Sequence, residues 1–501
     1  MKPFLLFKDR DFKLEQDLPF NFDELIQDLE LDTLIEAMSS SDDFLYDVIE
    51  KVMLIGTIDI NTIRYRQEIL KDCLANADII RLIYQIPIES MENKKKHWLG
   101  IFTRSPSSIL DGAVELMQMF YALLKKLRQI ADEHADKFKS KGFTSFFSMI
   151  KRELTDEYFV KMVEQLDDLK FREGVLISSQ LGKGLEGKKY TLRKPGKRDK
   201  NWFKNFITQF NRDYSFYINE RDDAGFSVLS EIKDQALNQV ANTMAQSTDH
   251  VDAFLNSLRT ELAFYIGCIN LKDKLMNMDC PVTFPKVVAA GKRTLSFRGL
   301  FDVSLSLTMN QKITGNDVNA KGKNLIIITG ANQGGKSTFL RSVGLAQLMM
   351  QSGMYVCAEE YTADICHGLF THYRRKEDIS MESGKLDEEF NRMSKIADSI
   401  KQDSMILFNE SFSATNEREG SGIARQITQA LMEKRIKVFF VTHLYDFANS
   451  IFEKNMPEAL FLRAERKSGG KRTYKLGIGE PLQTSFGEDV YMEVFNEKPR
   501  I

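Results

Sequence analysis

Residues 324–338 read NLIIITGANQGGKST, and this stretch decides the fold of the second half of the chain. Leu325 to Thr329 make an apolar run short enough for a buried strand. Gly330, Ala331, Asn332, Gln333, Gly334, Gly335, Lys336 and Ser337 then fit the pattern G-x4-G-K-[ST], and apolar residues at helical spacing follow over 336–351. Strand, loop and helix therefore come in the order a phosphate-binding loop requires. Its glycines let the backbone bend around phosphate without a Cβ in the way, while successive N–H groups and the helix N-terminus supply positive potential. Lys336 is expected to reach the β- and γ-phosphates of ATP and the Ser337 hydroxyl to ligate Mg2+.

About seventy residues further on, SMILFNE (404–410) reads as a buried strand ending in two polar residues, Asn409 and Glu410. Beside a phosphate loop this is the place for a metal-side residue and a carboxylate that orients or deprotonates the attacking water. The metal-side position usually holds Asp; here it is Asn409, which is neutral and holds a hydrated Mg2+ less strongly. At 441–443 another apolar strand delivers His443 to the same edge, where it is expected to sense the γ-phosphate.

From residue 286 onward strand-like and helix-like runs alternate: 325–329, 336–351, 405–408, 422–434 and 438–441. That alternation predicts a largely parallel sheet with helices packed on it. Residues 21–150 instead carry apolar positions at three- and four-residue spacing, most plainly from Ile109 to Ile130, with Ser108 as the expected N-cap. Prolines are few before residue 150 (Pro3, Pro19, Pro87, Pro106) and are expected in connections. Between 174 and 230 the pattern changes to short β-prone pieces, 175–178, 190–192, 215–218 and 226–229, and the helical period resumes over 231–278. The chain thus divides into a lead-in (1–40), a helical part (41–285) with a small β-containing insertion at about 174–230, and an α/β domain (286–501).

The 501 residues carry 69 Lys and Arg against 71 Asp and Glu, so any affinity for nucleic acid must come from a local patch. Such a patch lies within 183–204, where nine basic residues stand against two acidic, a net of +7, with Tyr190, Trp202 and Phe203 interleaved. Five widely spaced cysteines without a C-x2-C pair argue against a disulfide framework or a structural zinc. No signal-peptide h-region and no apolar window of membrane-spanning length is found, so the expectation is a cytoplasmic protein without a membrane partner.

TGANQGGKST resembles the phosphate loop of the MutS mismatch-repair ATPases, and MILFNE, SFSAT and VTHLYDFA follow in that family's order and spacing. Upstream, IDINTIRYRQEIL (58–70) is similar to the RQ-containing helix of the family's core domain, and 263–285 to the lever helix that leads into its ATPase. The likeness covers about residues 45 to 490. It implies a helical core and lever followed by a P-loop ATPase domain of the ABC type. It also implies that Gly330 to Thr338, Thr338 included, bind ATP phosphates, that Glu410 is the catalytic carboxylate, and that His443 is a switch histidine. Ser383, in ISMESGKLDEE, falls where the family's signature-like serine contacts the nucleotide of the opposite subunit, with Glu388 the acidic residue after it. The implied active unit is a homodimer joined through its ATPase domains. Two family parts are not seen: the G-x-F-x-E wedge that reads mismatches, and the full helix-turn-helix tail, of which 475–497 is only the beginning. The resemblance therefore implies a mismatch-repair or recombination type protein that does not read mismatches itself.

The basic stretch lies where the family carries the clamp that closes on the DNA backbone. Lys188, Lys189, Arg193, Lys194, Lys197 and Arg198 are the expected phosphate contacts, and Tyr190 or Trp202 the stacking residues. Three functions remain open at this point: an ATP-driven DNA clamp, an ATPase acting on RNA or ribosomes, and an ATP-gated scaffold that hydrolyses slowly because of Asn409.

Overall fold

The computed structural model of the chain describes residues 1–97, 105–172, 174–184, 186–194, 215–331, 333–375, 384–466 and 472–482. In chain order its helices are α1 (Phe22–Leu29), α2 (Leu31–Ser39), α3 (Asp43–Ile55), α4 (Ile60–Ala75), α5 (Ala77–His97), α6 (Pro106–His134), α7 (Lys141–Glu153), α8 (Asp156–Asp168), α9 (Asp223–Asn277), α10 (Val303–Met309), α11 (Lys336–Gln351), α12 (Lys385–Ser399), α13 (Glu417–Glu433) and α14 (Tyr445–Glu453). The strands are β1 (Leu176–Leu181), β2 (Gly187–Arg193), β3 (Lys286–Val288), β4 (Leu295–Leu300), β5 (Asn316–Asn319), β6 (Leu325–Thr329), β7 (Glu360–Asp364), β8 (Leu369–Tyr373), β9 (Met405–Asn409), β10 (Lys437–Val441), β11 (Ala459–Arg466) and β12 (Arg472–Ile478).

The chain forms two compact units, one of residues 1–3, 81–138 and 144–259, the other of residues 4–80, 139–143 and 260–501. This differs from the division expected at residue 285. The expected lead-in, residues 1–40, is well packed: Leu5, Leu6, Leu29, Leu31, Leu34, Ile35 and Met38 are fully buried. The RQ pair of α4 shows what ties this segment down. Arg66, itself buried, donates from Nε to the Leu6 carbonyl (2.9 Å) and from Nη1 to the Ser352 carbonyl (3.3 Å), and Gln67 donates to the Pro285 carbonyl (3.3 Å).

In the first unit α6 buries Leu110, Ala113, Val114, Met117, Phe120, Leu124 and Leu127 along one face, as its spacing predicts, and Tyr121 meets Phe159 of α8 edge-on at 5.5 Å. The N-cap is Ser105 rather than Ser108. Its side chain accepts the Ser108 N–H, and Pro106 takes the first helical position, where no N–H is needed. Pro87 lies inside α5, not in a connection; buried Ile83, Tyr84 and Ile86 anchor that part of the helix despite the missing hydrogen bond. β1 and β2 pair as an antiparallel hairpin. The other two expected β pieces are not strands among the described residues. Residues 226–229 belong to α9, which starts at Asp223 after Asp222 accepts the Gly225 N–H at 2.9 Å.

In the second unit the larger sheet runs β12-β11-β6-β10-β9-β8 among the described residues, parallel throughout except for β12. Both faces are covered, which explains why β6, β8 and β10 are buried at every position. On one face register aligns Phe461, Ile327, Phe440, Phe408 and His372 in a row across the strands. Met393 and Ile396 of α12, Ala424 and Leu431 of α13, and Phe447 and Ile451 of α14 close over that face. Each of these large apolar side chains, Ala424 excepted, contributes about 1.5–3 kcal/mol. α11 lies on the other face and is buried almost all round, because α1 also packs on it. A Cβ at Gly344 would come within 2.7 Å of Leu29 and 2.9 Å of Leu407, so glycine is what lets α11 lie between helix and strand. A second sheet, β3-β7-β4-β5, completes this unit. Among the described residues no helix is long and apolar enough to cross a membrane, and the five cysteines are buried free thiols.

Candidate nucleotide site

Parallel strands β6, β9 and β10 end at the same edge, and each hands a functional segment to it, the position where open α/β sheets bind ligands. After β6 the chain turns with positive φ at Gly330 (115°), Gln333 (57°) and Gly335 (89°), and Gly335 caps α11. Close approach also demands glycine here. A Cβ at Gly330 would stand 3.0 Å from the Ala464 nitrogen, and one at Gly334 would stand 2.9 Å from the Ala331 carbonyl.

Lys336 is buried and its ammonium donates to the carbonyls of Gly330 and Ala331, both at 2.9 Å. Burial pulls its pKa down to about 8, the Glu410 carboxylate opposing that shift. Ser337 donates its hydroxyl to Asn409 Oδ1 at 3.0 Å, so the two residues expected at the metal do meet. Glu410 follows in a left-handed conformation (φ 57°), its N–H donating to the Val441 carbonyl at 2.9 Å. His443 Nε2 donates to the Glu410 carboxylate at 3.0 Å. That hydrogen bond, more than any other influence, holds the Glu410 pKa below the usual carboxylate range.

A cavity of about 520 Å3 opens beside the loop, lined by Gln333 to Phe339 and Glu410 on one side and by Leu305, Met309, Ile313, Asn316 and Tyr474 on the other. The second wall carries no motif, and sequence reasoning missed it. It comes together because Asn316 of β5 accepts the Leu476 N–H of β12 at 2.8 Å, and because Arg472 of β12 donates to Gln333 in the loop. A volume of this size, with buried lysine, backbone N–H groups and apolar walls, suits a nucleotide. Ser337 and Asn409 offer two neutral oxygens, a donor set that fits Mg2+ when the nucleotide's phosphates and water supply its remaining ligands.

The other expected residues divide. Asn332, Ser383, Lys197, Arg198 and Trp202 lie outside the described residues. Lys188, Lys189, Arg193 and Lys194 are exposed on and just after β2, but they are not equally available. Arg193 donates to Ser178 Oγ (2.9 Å), and Lys194 pairs with Asp168 at 2.6 Å, which raises the lysine's pKa. Lys188 lies across Gly182.

Comparison with known proteins matches both halves of the chain. The family model described as MutS2 N-terminal domain matches residues 58–278, and that of MutS domain V matches residues 326–492. MutS protein homolog 4 of Mus musculus is 26% identical over 253 residues, 46% of this chain and 26% of that protein. DNA mismatch repair protein MutS of Thermus aquaticus is 29% identical over 168 residues (33% of this chain, 20% of that protein), and its namesake from Thermotoga sp. (strain RQ2) is 32% identical over 136 residues (27% and 17%). The matched stretch thus spans about a quarter or less of each relative's length. The domain V match begins at Ile326 within β6 and takes in the phosphate loop, Asn409-Glu410 and His443, the segments that assemble at the sheet edge. Matched in its helical half as well as around that edge, the chain belongs to the MutS family.

Proposed function

We propose that the protein binds and hydrolyses ATP in the cavity beside Lys336 and uses its nucleotide state to control a grip on DNA, in work of the mismatch-repair or recombination type. The single observation that carries this is that Lys336, Ser337 and Glu410 line one cavity at the carboxyl ends of parallel strands, with Asn409 hydrogen-bonded to Ser337 and His443 to Glu410 behind them. Gly330 to Thr338 hold the phosphates in this reading, and residues 286–501 form a P-loop domain of the ABC type. Glu410, ionised at neutral pH, accepts the proton of the attacking water, and release of the His443 hydrogen bond that lowers its pKa makes it the stronger base. His443 orients that carboxylate in the absence of nucleotide and is free to turn to the γ-phosphate. Mg2+, held on the protein side by Ser337 and Asn409, would neutralise phosphate charge. With a neutral amide in place of the usual carboxylate, hydrolysis is slow. Two copies of the chain act together, Ser383 of each completing the other's site.

DNA is gripped through its backbone by the basic hairpin. Lys188 and Lys189 lead, because neither must first leave an ion pair among the described residues. The compartment that suits buried free thiols is the reducing cytoplasm. The test is the ATPase rate measured alone and with homoduplex, mismatched, branched and single-stranded DNA, and with RNA. Stimulation by duplex or branched DNA supports the reading. Stimulation by RNA or ribosomal particles alone moves the partner, and a flat, slow rate leaves an ATP-gated scaffold.

A further inference from the structure

Glu410 and Phe412 both adopt left-handed backbone conformations (φ 57° and 61°) although neither is glycine. Each such residue costs about 1–2 kcal/mol, so the turn persists only because its surroundings over-determine it. Val441 of β10 holds the Glu410 N–H and the Ser413 hydroxyl its carbonyl, while the contacts to the next two residues come from β8 and α12. The Ser411 hydroxyl lies 2.7 Å from His372 Nδ1 and 2.5 Å from the His372 carbonyl, and the Phe412 N–H donates to the Glu389 carboxylate at 2.9 Å.

His372 is an odd occupant of its position. It is fully buried, in the apolar row that runs from Phe461 to Phe408, with its ring stacked on Phe412 at 5.2 Å. A phenylalanine would pack there at lower cost, since burying an imidazole is unfavourable unless its nitrogens are used. Both are used. Nε2 stands 3.0 Å from the Glu389 carbonyl, which can only accept, so Nε2 carries the hydrogen and Nδ1 is an acceptor that shares the single Ser411 hydroxyl proton with the His372 carbonyl. Burial pulls the His372 pKa down to about 4, which keeps the ring neutral in this arrangement. Neither His372 nor Glu389 lines the nucleotide cavity.

We infer that His372 and Glu389 are positioning residues for Glu410: from beneath the sheet edge they hold the turn 410–412 in its left-handed form and so fix where the Glu410 carboxylate stands. The inference rests on the reading of Glu410 as the carboxylate that activates water. A purely structural pair would affect folding and ATP binding together. A positioning pair affects hydrolysis after ATP is bound, because a small misplacement of a catalytic group is enough to lose rate.

The experiment uses the full chain and compares His372→Phe, which keeps the ring but removes both hydrogen bonds, with Ser411→Ala, Glu389→Leu and Glu389→Gln. ATP-binding stoichiometry and Kd are measured with a fluorescent ATP analogue, and kcat is expressed per binding-competent site. The expected result is an ATP Kd within two-fold of wild type in all four. kcat per site falls at least ten-fold in His372→Phe and Glu389→Leu and less in Ser411→Ala. Glu389→Gln stays within about three-fold, because its amide oxygen still accepts the Phe412 N–H. If His372→Phe does not fold, Ser411→Ala and Glu389→Leu carry the same comparison. A wild-type kcat per site in the hydrogen-bond-deleting variants, or a Kd that rises in step with the loss of kcat, overturns the inference. Glu410→Gln, run in parallel, separates the two failures. If it hydrolyses ATP normally, the reading of Glu410 has failed; if it is inactive while His372→Phe is not, only the positioning role has.

Discussion

Raising the pH should weaken ATP binding through one residue, Lys336, and by an amount the structure sets. An exposed lysine stays charged to above pH 10, but burial brings this one down to about 8. The shift from the ordinary value of 10.5 corresponds to a cost on the order of 3 kcal/mol for keeping the ammonium charged in the ligand-free site. Phosphates recover that cost only from the charged form. At pH 7 the lysine is almost fully protonated, and at pH 9.5 only about 3% of it is, so the apparent Kd rises roughly 30-fold between the two, ten-fold per unit beyond pH 8. The phosphates of ATP are fully ionised across the upper part of this range and contribute no opposing trend. A fluorescent ATP analogue titrated from pH 7 to 9.5 at constant ionic strength reads the effect. Calorimetry in buffers of different ionisation heat should show proton uptake on binding near pH 8.5. Lys336→Arg, which cannot lose its charge, should bind with a Kd that does not change with pH. A flat profile in the wild type, or the same slope in Lys336→Arg, would refute the reasoning.

Glu410→Gln should bind ATP as wild type does and lose hydrolysis by a factor of about 10²–10⁴, the usual contribution of a general base; single-turnover hydrolysis beside a binding titration checks this. Gly420→Ala drives a methyl into the Phe412 carbonyl, nearer than the two atoms can stand without a shift of backbone. It should destabilise the protein by about 1–3 kcal/mol and lower hydrolysis more than ATP binding, read by denaturant melts and steady-state rates. Reversing Lys188 and Lys189 to Glu should weaken duplex DNA binding whatever its sequence. The slope of log K against log salt should become shallower by about one for each phosphate that is no longer neutralised, measured by fluorescence anisotropy across a salt series.

The segments of the candidate nucleotide site were legible in the sequence because they are short and carry their own context. The apolar run 325–329, the glycines after it and the helix 336–351 appear in the structure with those bounds, and the polar ends of the runs after 404 and 437 fall on the same sheet edge. What was not legible depends on partners remote in sequence. Leu5 and Leu6 look like an isolated apolar pair, yet they are buried where Arg66 of α4 and Glu261 of α9 bind their backbone. Phe226, Val228 and Leu229 have strand propensity, but the Asp222 cap starts a helix through them. The far cavity wall, Leu305 to Asn316 and Tyr474, forms only when β12 returns beside the phosphate loop. His372 gave no signal at all, since a histidine in an apolar strand reads as an exception until Ser411 and Glu389 are seen around it.

In the proposed function, ATP occupancy of the site around Lys336 sets the affinity of the protein for DNA. This coupling is tested most directly by the Kd of the full chain for a labelled duplex, measured by anisotropy without nucleotide, with ATP, and with ATP in the Glu410→Gln variant, which holds ATP without consuming it. The Kd should change with ATP, Glu410→Gln should show the ATP-bound value persistently, and Lys336→Ala should abolish the difference. The same Kd in all three states would contradict it.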